Sequence, residues 1–310
     1  MIDTGSAGRR ASVTNSGLTC YPTPARALNA AGDATEDPLM FRPKIRSALA
    51  LGLALAALTG CTTRQTVGSA STSVRPLRVG VTPNSPPFVS PQGGGLAGLE
   101  VDFARELTGA LGRSLELREL EWNELIPALE AGRIDLIMSG MTITRARQVR
   151  IAFSDPYLLS ALIAVVRRGE AARYPDAKRV LQTRGPIGAV ENTTAERFVR
   201  ERAPLASVSV YPDIGSAVQE LRQRRVDAVV HDAPVLLSFV SANEAELAPV
   251  LHALDQEPLG WGVRRNDEEL RTAVNAVLAR WRTDGTRERI LSRWVPYWSR
   301  LESEAAAQRP

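Results

Sequence analysis

The segment from Asp135 to Arg150, DLIMSGMTITRARQVR, constrains this chain more than any other. Its apolar run, Leu136, Ile137 and Met138, has the length of a buried strand and breaks directly into Ser139-Gly140. Small and hydroxyl residues follow, and Thr144 stands where it can cap a helix whose first turn carries Arg147. A strand that ends in a glycine turn and restarts as a capped helix is one step of an α/β fold. Ligands of such folds bind outside the carboxyl ends of the strands. That place here offers a planar guanidinium, hydroxyls and helix-start N–H groups, a set suited to one carboxylate. Spacing alone is met equally well by an ordinary strand–turn–helix with a surface arginine.

The same step recurs along the chain. Strands are expected at 77–81, 115–120 and 136–138, with helices at about 99–111 and 122–131. A long apolar extended run at 158–166 separates them from a second set. That set has strands at 186–190, 208–211 and 226–231, and helices at 195–202, 214–222 and 233–242. A strand at 260–263, an amphipathic helix at 268–282 and a last helix through Trp294 close the pattern, with Gly285 between the two helices. Three groups fall at strand ends of the first set: Ser85 with Phe88, Trp122, and Ser139 to Thr142. Asp232 holds the corresponding place in the second set. A net charge of +4, with scattered arginines, gives no footprint for nucleic acid. Two histidines without a Cys, Asp or Glu cluster at ligand spacing give no metal site, and no cofactor is expected.

From about Leu77 to about Trp294 the chain resembles the family 3 extracellular solute-binding proteins, polar amino-acid receptors of ABC importers. The resemblance rests on the serine-rich strand end, Ile143-Thr144 and Arg147, on IAFSDPY at 151–157, on Thr193-Thr194 and on Asp232. It implies a two-lobed α/β Venus flytrap joined by two crossing strands. Lobe 1 would comprise 76–166 plus 256–301, lobe 2 167–255, and a tail 302–310. The first crossing strand would be the run at 158–166, and the chain would return near Pro258. The resemblance further implies a small amino-acid-like solute and an ABC permease as partners, and a monomer.

Residue roles follow from the same resemblance. Arg147 would hold the ligand's α-carboxylate, helped by Thr142, by backbone groups near Ser139 and Gly140, and by Thr193 and Thr194 from the other lobe. Asp232 would take the α-ammonium; its plain alternative is a cap for the helix at 233–242. Ser85, Phe88 and Trp122 would form the side-chain pocket, with Phe88 packed beneath it. Thr82 stands where members that bind cationic side chains often carry Asp, which argues against Lys, Arg or His as ligand. His231 reads as an ordinary strand-end residue.

The N-terminal part reads separately. Residues 1–39 show no hydrophobic period and are expected to be a misassigned leader, with Met40 the start. Arg42, Lys44 and Arg46 precede an apolar stretch too short to span a membrane, and Leu58-Thr59-Gly60-Cys61 resembles a lipobox. Residues 40–60 are therefore expected to be a lipoprotein signal peptide, and Cys61 the lipidated residue on the periplasmic side of the cell envelope. Residues 61–75, rich in Ser and Thr, read as a flexible tether. The lipid is then the only membrane attachment.

A second reading is an enzyme. Periplasmic cyclohexadienyl (arogenate) dehydratases resemble the same family and use a glutamate near the position of Glu196. Against this, the strand Gly260-Trp261-Gly262 lacks the lysine expected of such enzymes.

Overall fold

The computed structural model describes residues 75–299 and Ser303. The expected leader, signal peptide, Cys61 and all of the tether but Arg75 lie outside the described residues. Strand β1 (Leu77–Val81) leads through a hairpin, β2 (Ser90–Gln92) and β3 (Gly95–Ala97), into α1 (Leu99–Ala110). β4 (Leu115–Glu119) returns parallel to β1. A short 3-10 turn at Trp122–Glu124 continues as α2 (Leu125–Glu130), and β5 (Leu136–Ile137) pairs parallel to β1 on its other side. The single-turn α3 (Arg145–Gln148) precedes β6 (Ala152–Phe153).

β7 (Leu158–Arg167) then carries the chain to a second sheet. There α4 (Ala177–Leu181), β8 (Ile187–Val190), α5 (Thr194–Arg202), β9 (Val208–Tyr211), α6 (Ile214–Arg222), β10 (Ala228–Asp232) and α7 (Ala233–Ala242) follow in turn. The long β11 (Leu247–Leu259) leads back to β12 (Gly262–Val263), α8 (Glu268–Asp284) and α9 (Thr286–Trp294). The first sheet runs β4-β1-β5-β12-β6 and the second β11-β7-β10-β8-β9.

Physical chemistry accounts for each choice. Apolar residues at 99, 103, 104 and 107 of α1 are fully buried, the stripe expected of a helix lying on a sheet. Asp176, Thr193, Asp213 and Asp267 cap α4, α5, α6 and α8 through side-chain oxygens. In the first lobe Phe103, Tyr157, Trp261 and Trp281 stack or meet edge to face at 5.2–6.3 Å. Trp281 is thereby a core residue, as is fully buried Trp261.

β7 and β11 pair antiparallel from Leu158 opposite Leu259 to Arg167 opposite Leu247, with a register slip between Val250 and Asp255. These are the two crossing strands. β7 also pairs with β10 over Leu162 to Val166, so those residues belong to the second sheet. The lobe boundary therefore comes earlier than the expected 166/167. The reason is that an apolar run buried along its length must have both backbone edges satisfied, and a central place in the second sheet does that. Among the described residues no helix is long and apolar enough to cross a membrane.

Candidate functional site

A cavity of about 150 Å³ opens between the two sheets at the strand ends. Ser85, Phe88, Trp122, Ser139, Gly140, Thr142, Arg147, Thr193, Thr194 and Asp232 all line it. So do Thr82, which the resemblance had tied to the ligand's charge, and Asn84, Asp213 and His231, which sequence reasoning did not place there. The lining comes from loops after β1, β4 and β5 on one side and after β8, β9 and β10 on the other.

Arg147 sits on the turn that Thr144 caps, its own N–H donating to Thr144 Oγ1 at 3.2 Å. Its guanidinium lies 5.1 Å from the centre of the Trp122 ring, within cation–π range. One Nη donates to Thr142 O at 2.9 Å; the other reaches Asn192 O, across the cleft, at 3.4 Å. Burial lowers its pKa, and the charges of Glu257 and Asp232 restore part of that loss. Trp122 donates Nε1 to the same Asn192 carbonyl at 3.3 Å. The indole is thus the shelf under the arginine as well as a cavity wall.

Gly140 takes the left-handed conformation, φ +66°, and a Cβ there would stand 2.7 Å from the Phe88 ring. Phe88 is buried beneath the loop, as expected. The Gly140 N–H is not open to a ligand: it donates to Glu100 Oε1 at 2.7 Å. Glu100, wholly buried, also receives Tyr157 Oη at 2.7 Å and Trp261 Nε1 at 2.9 Å. Burial raises its pKa and these three donors oppose the rise. The anticipated help from the Gly140 amide is corrected accordingly: it is spent on holding the loop. Ser139 Oγ accepts the Thr82 N–H at 3.0 Å, which leaves its own proton as a donor.

From the second lobe, the Thr193 hydroxyl donates to Val190 O at 2.7 Å and accepts the Glu196 N–H at 3.2 Å. It acts as a cap; of the first-turn N–H groups of α5, that of Glu196 is taken by this cap, and those of Thr194 and Ala195 have no intrahelical acceptor. Asp232 stands at the N-terminus of α7 but makes no side-chain capping bond, so the plain capping alternative is absent. Its Oδ1 is buried and meets no donor. Burial first, then the charge of the neighbouring Glu257 carboxylate, raise Asp232 well above the usual carboxylate range, while Arg147 pulls the other way. His231 Nδ1 lies 3.4 Å from Asp232 Oδ2, but burial lowers this imidazole to about 4, so it is neutral at neutral pH.

Glu257 is the site residue with the least sequence signal. It lies on β11 within Gln256-Glu257-Pro258, is only 4% exposed, and accepts the Thr142 hydroxyl at 3.1 Å. Burial raises its pKa, while Thr194, Asp232, Thr142 and the charge of Arg147 oppose the rise. The one available hint was a charged residue placed where the chain must cross between lobes.

Two lobes, two crossing strands, and an arginine and a carboxylate facing one cavity define a solute-receptor architecture. Residues 77–297 match the model of the bacterial extracellular solute-binding proteins, family 3, and the chain belongs to that family. It is 31% identical over 220 residues to the L-cystine-binding protein TcyJ of Escherichia coli, covering 70% of this chain and 82% of that one. Among solved structures it resembles an ancestral arginine-binding protein bound to arginine, with TM-score 0.66, 33% identity and coverage of 71% and 97%. It also resembles the ancestral amino acid-binding protein AncCDT-1, a precursor of cyclohexadienyl dehydratase, with TM-score 0.65, 32% identity and coverage of 70% and 94%.

Proposed function

We propose that this protein is the amino-acid receptor of an ABC importer, binding its solute between the lobes on the periplasmic side without transforming it. The observation that carries this reading is the presentation of Arg147 and Asp232 to one cavity from opposite lobes. A zwitterion meets both, and neither charge is then left buried alone. The family membership and the amino-acid-binding relatives support the same reading. The Thr82 hydroxyl lines the cavity, buried and without a partner, which favours a ligand side chain with a polar end.

The dehydratase reading needs a free acid at Glu196. That carboxylate lies outside the cavity lining, accepts the Asn192 N–H at 2.7 Å and pairs with Arg200 at 2.8 Å. It is engaged as a loop and helix anchor rather than poised as an acid.

Calorimetry with the proteinogenic amino acids and L-cystine tests the receptor reading. One or more should bind wild-type protein. Arg147→Ala and Asp232→Ala should each weaken that binding about a hundredfold, since removing one partner of a buried charged pair costs about 2–5 kcal/mol. Unchanged affinity in Arg147→Ala would displace the carboxylate site. We further propose that Cys61 carries the lipid anchor; intact mass of protein from the native host should show a diacylated N-terminal Cys61, and Cys61→Ala should leave the membrane fraction.

A further inference from the structure

Trp122, Arg147, Thr193 and Thr194 line both the solute cavity and a second, larger groove of about 580 Å³. They form the partition between the two. Trp122 and Arg147 close it by donating to Asn192 O of the opposite lobe. Beyond the partition the groove takes Pro127, Ala146 and Arg150 from the first lobe and Glu196, Arg197 and Arg200 from the second. Its charged lining is four arginines and one glutamate. Arg150 pairs with Glu130 at 3.0 and 2.5 Å, and Arg200 with Glu196 at 2.8 Å. Arg197 meets Glu201 at 3.9 Å, the outer limit of an ion pair. These side chains are 48%, 54% and 53% exposed, so water weakens their local pairs and leaves the guanidiniums within reach of a partner.

We propose that this groove is an interaction surface for an acidic segment of the ABC permease, which recognises the closed receptor because closure brings the arginines of both lobes under it. This rests on the receptor reading above. Closure sets Arg150 of one lobe along the same groove as Arg197 and Arg200 of the other, a concentration of like charge. A run of carboxylates laid across the groove offsets that charge, and each guanidinium fork accepts a carboxylate in register. Arg147 is engaged on the cavity side by the solute, so the three exposed arginines carry the recognition. Pro127 and Ala146, exposed in the same groove, add the apolar contact that interfaces combine with arginine. With the lobes apart, an acidic run reaches the arginines of one lobe or of the other. It therefore binds the closed form more tightly, and solute and segment strengthen each other's binding by linkage.

The probe is a labelled hexaglutamate peptide, titrated by fluorescence anisotropy at low ionic strength, where exposed charges are least screened. Titrations are run with and without saturating amino acid from the calorimetric panel. Wild-type protein should bind the peptide about fivefold or more tightly when the amino acid is present. The double variant Arg150→Gln, Arg197→Gln should lose peptide binding and still bind the amino acid, which shows that it is folded. The double variant Arg118→Gln, Arg225→Gln removes two arginines outside the groove and should bind the peptide as wild type does. Peptide binding that survives loss of Arg150 and Arg197, or that the amino acid leaves unchanged, overturns the inference. So does binding of phosphatidylglycerol vesicles through these arginines in preference to the peptide, which would make the groove a lipid contact. If no amino acid binds, the receptor reading falls and takes this inference with it. If one binds and the peptide does not, the receptor reading stands and this inference is overturned.

Discussion

At the residue scale the loop after β5 shows how one backbone conformation can serve a site. Gly140 turns through φ +66°, which lets its N–H meet Glu100 while its α-carbon rests on the Phe88 ring. A side chain in that conformation costs about 1–2 kcal/mol before any clash. Gly140→Ala would also press a methyl to 2.7 Å from two atoms of the Phe88 ring, whose buried position leaves little room to move. Urea unfolding of Gly140→Ala should show a loss of more than about 1 kcal/mol, and amino-acid binding should weaken with it as Thr142 and Arg147 are displaced. Stability equal to wild type would mean the loop is free to rearrange.

At the scale of elements, Asp135 fastens three strands of the first sheet. It precedes β5, accepts the Arg78 N–H of β1 at 3.1 Å and the Arg78 guanidinium at 2.7 and 3.0 Å, and meets Arg264 beside β12 at 3.3 Å. Burial alone would raise this carboxyl; the Arg78 hydrogen bonds and the charges of Arg78 and Arg75 outweigh it and hold Asp135 at about 2. A folded value below the ordinary 3.8 means the unfolded chain takes up the proton first. Its contribution is therefore complete above about pH 4 and lost as pH falls toward 2. Asp135→Asn should lower the thermal midpoint at neutral pH, and the gap from wild type should narrow over that acid window. A gap independent of pH would assign the effect to packing.

At the scale of the whole molecule, closure is visible as bonds over the rim of the cleft. Asn123 donates to Glu191 at 3.2 Å and accepts from Asn192 at 3.0 Å, while Trp122 and Arg147 reach the Asn192 carbonyl. Asn192 can present these groups because it adopts φ 58°, which asparagine tolerates better than most residues. Exposed bonds of this kind contribute about 0.5–1.5 kcal/mol each. Asn123→Ala should therefore weaken solute binding by about tenfold or less, and small-angle scattering of the ligand-free variant should show a larger radius of gyration than wild type. Identical radii and affinities would show that the rim does not bias closure. Glu100 works at this scale too. It bonds to Tyr157 just before β7 and Trp261 just after β11, so the ligand loop and both ends of the hinge share one buried carboxylate.

What the sequence determined by itself is what local physics controls. The strand–turn–helix period, the Thr144 cap and the placement of Arg147 and Asp232 at strand ends depend on neighbours within a few residues. Those signals were enough to bring together a cavity lining, because an α/β fold delivers its strand ends to one place. The tertiary structure alone decided how each polar group is spent. Glu257 meets Thr142 across 115 positions of chain, and Glu100 meets Gly140 across 40 and Trp261 across 161. A hydroxyl or amide reads as a donor in any sequence. Whether its proton faces a ligand or is already committed depends on which distant carboxylate the fold buries beside it, and no local pattern encodes that choice.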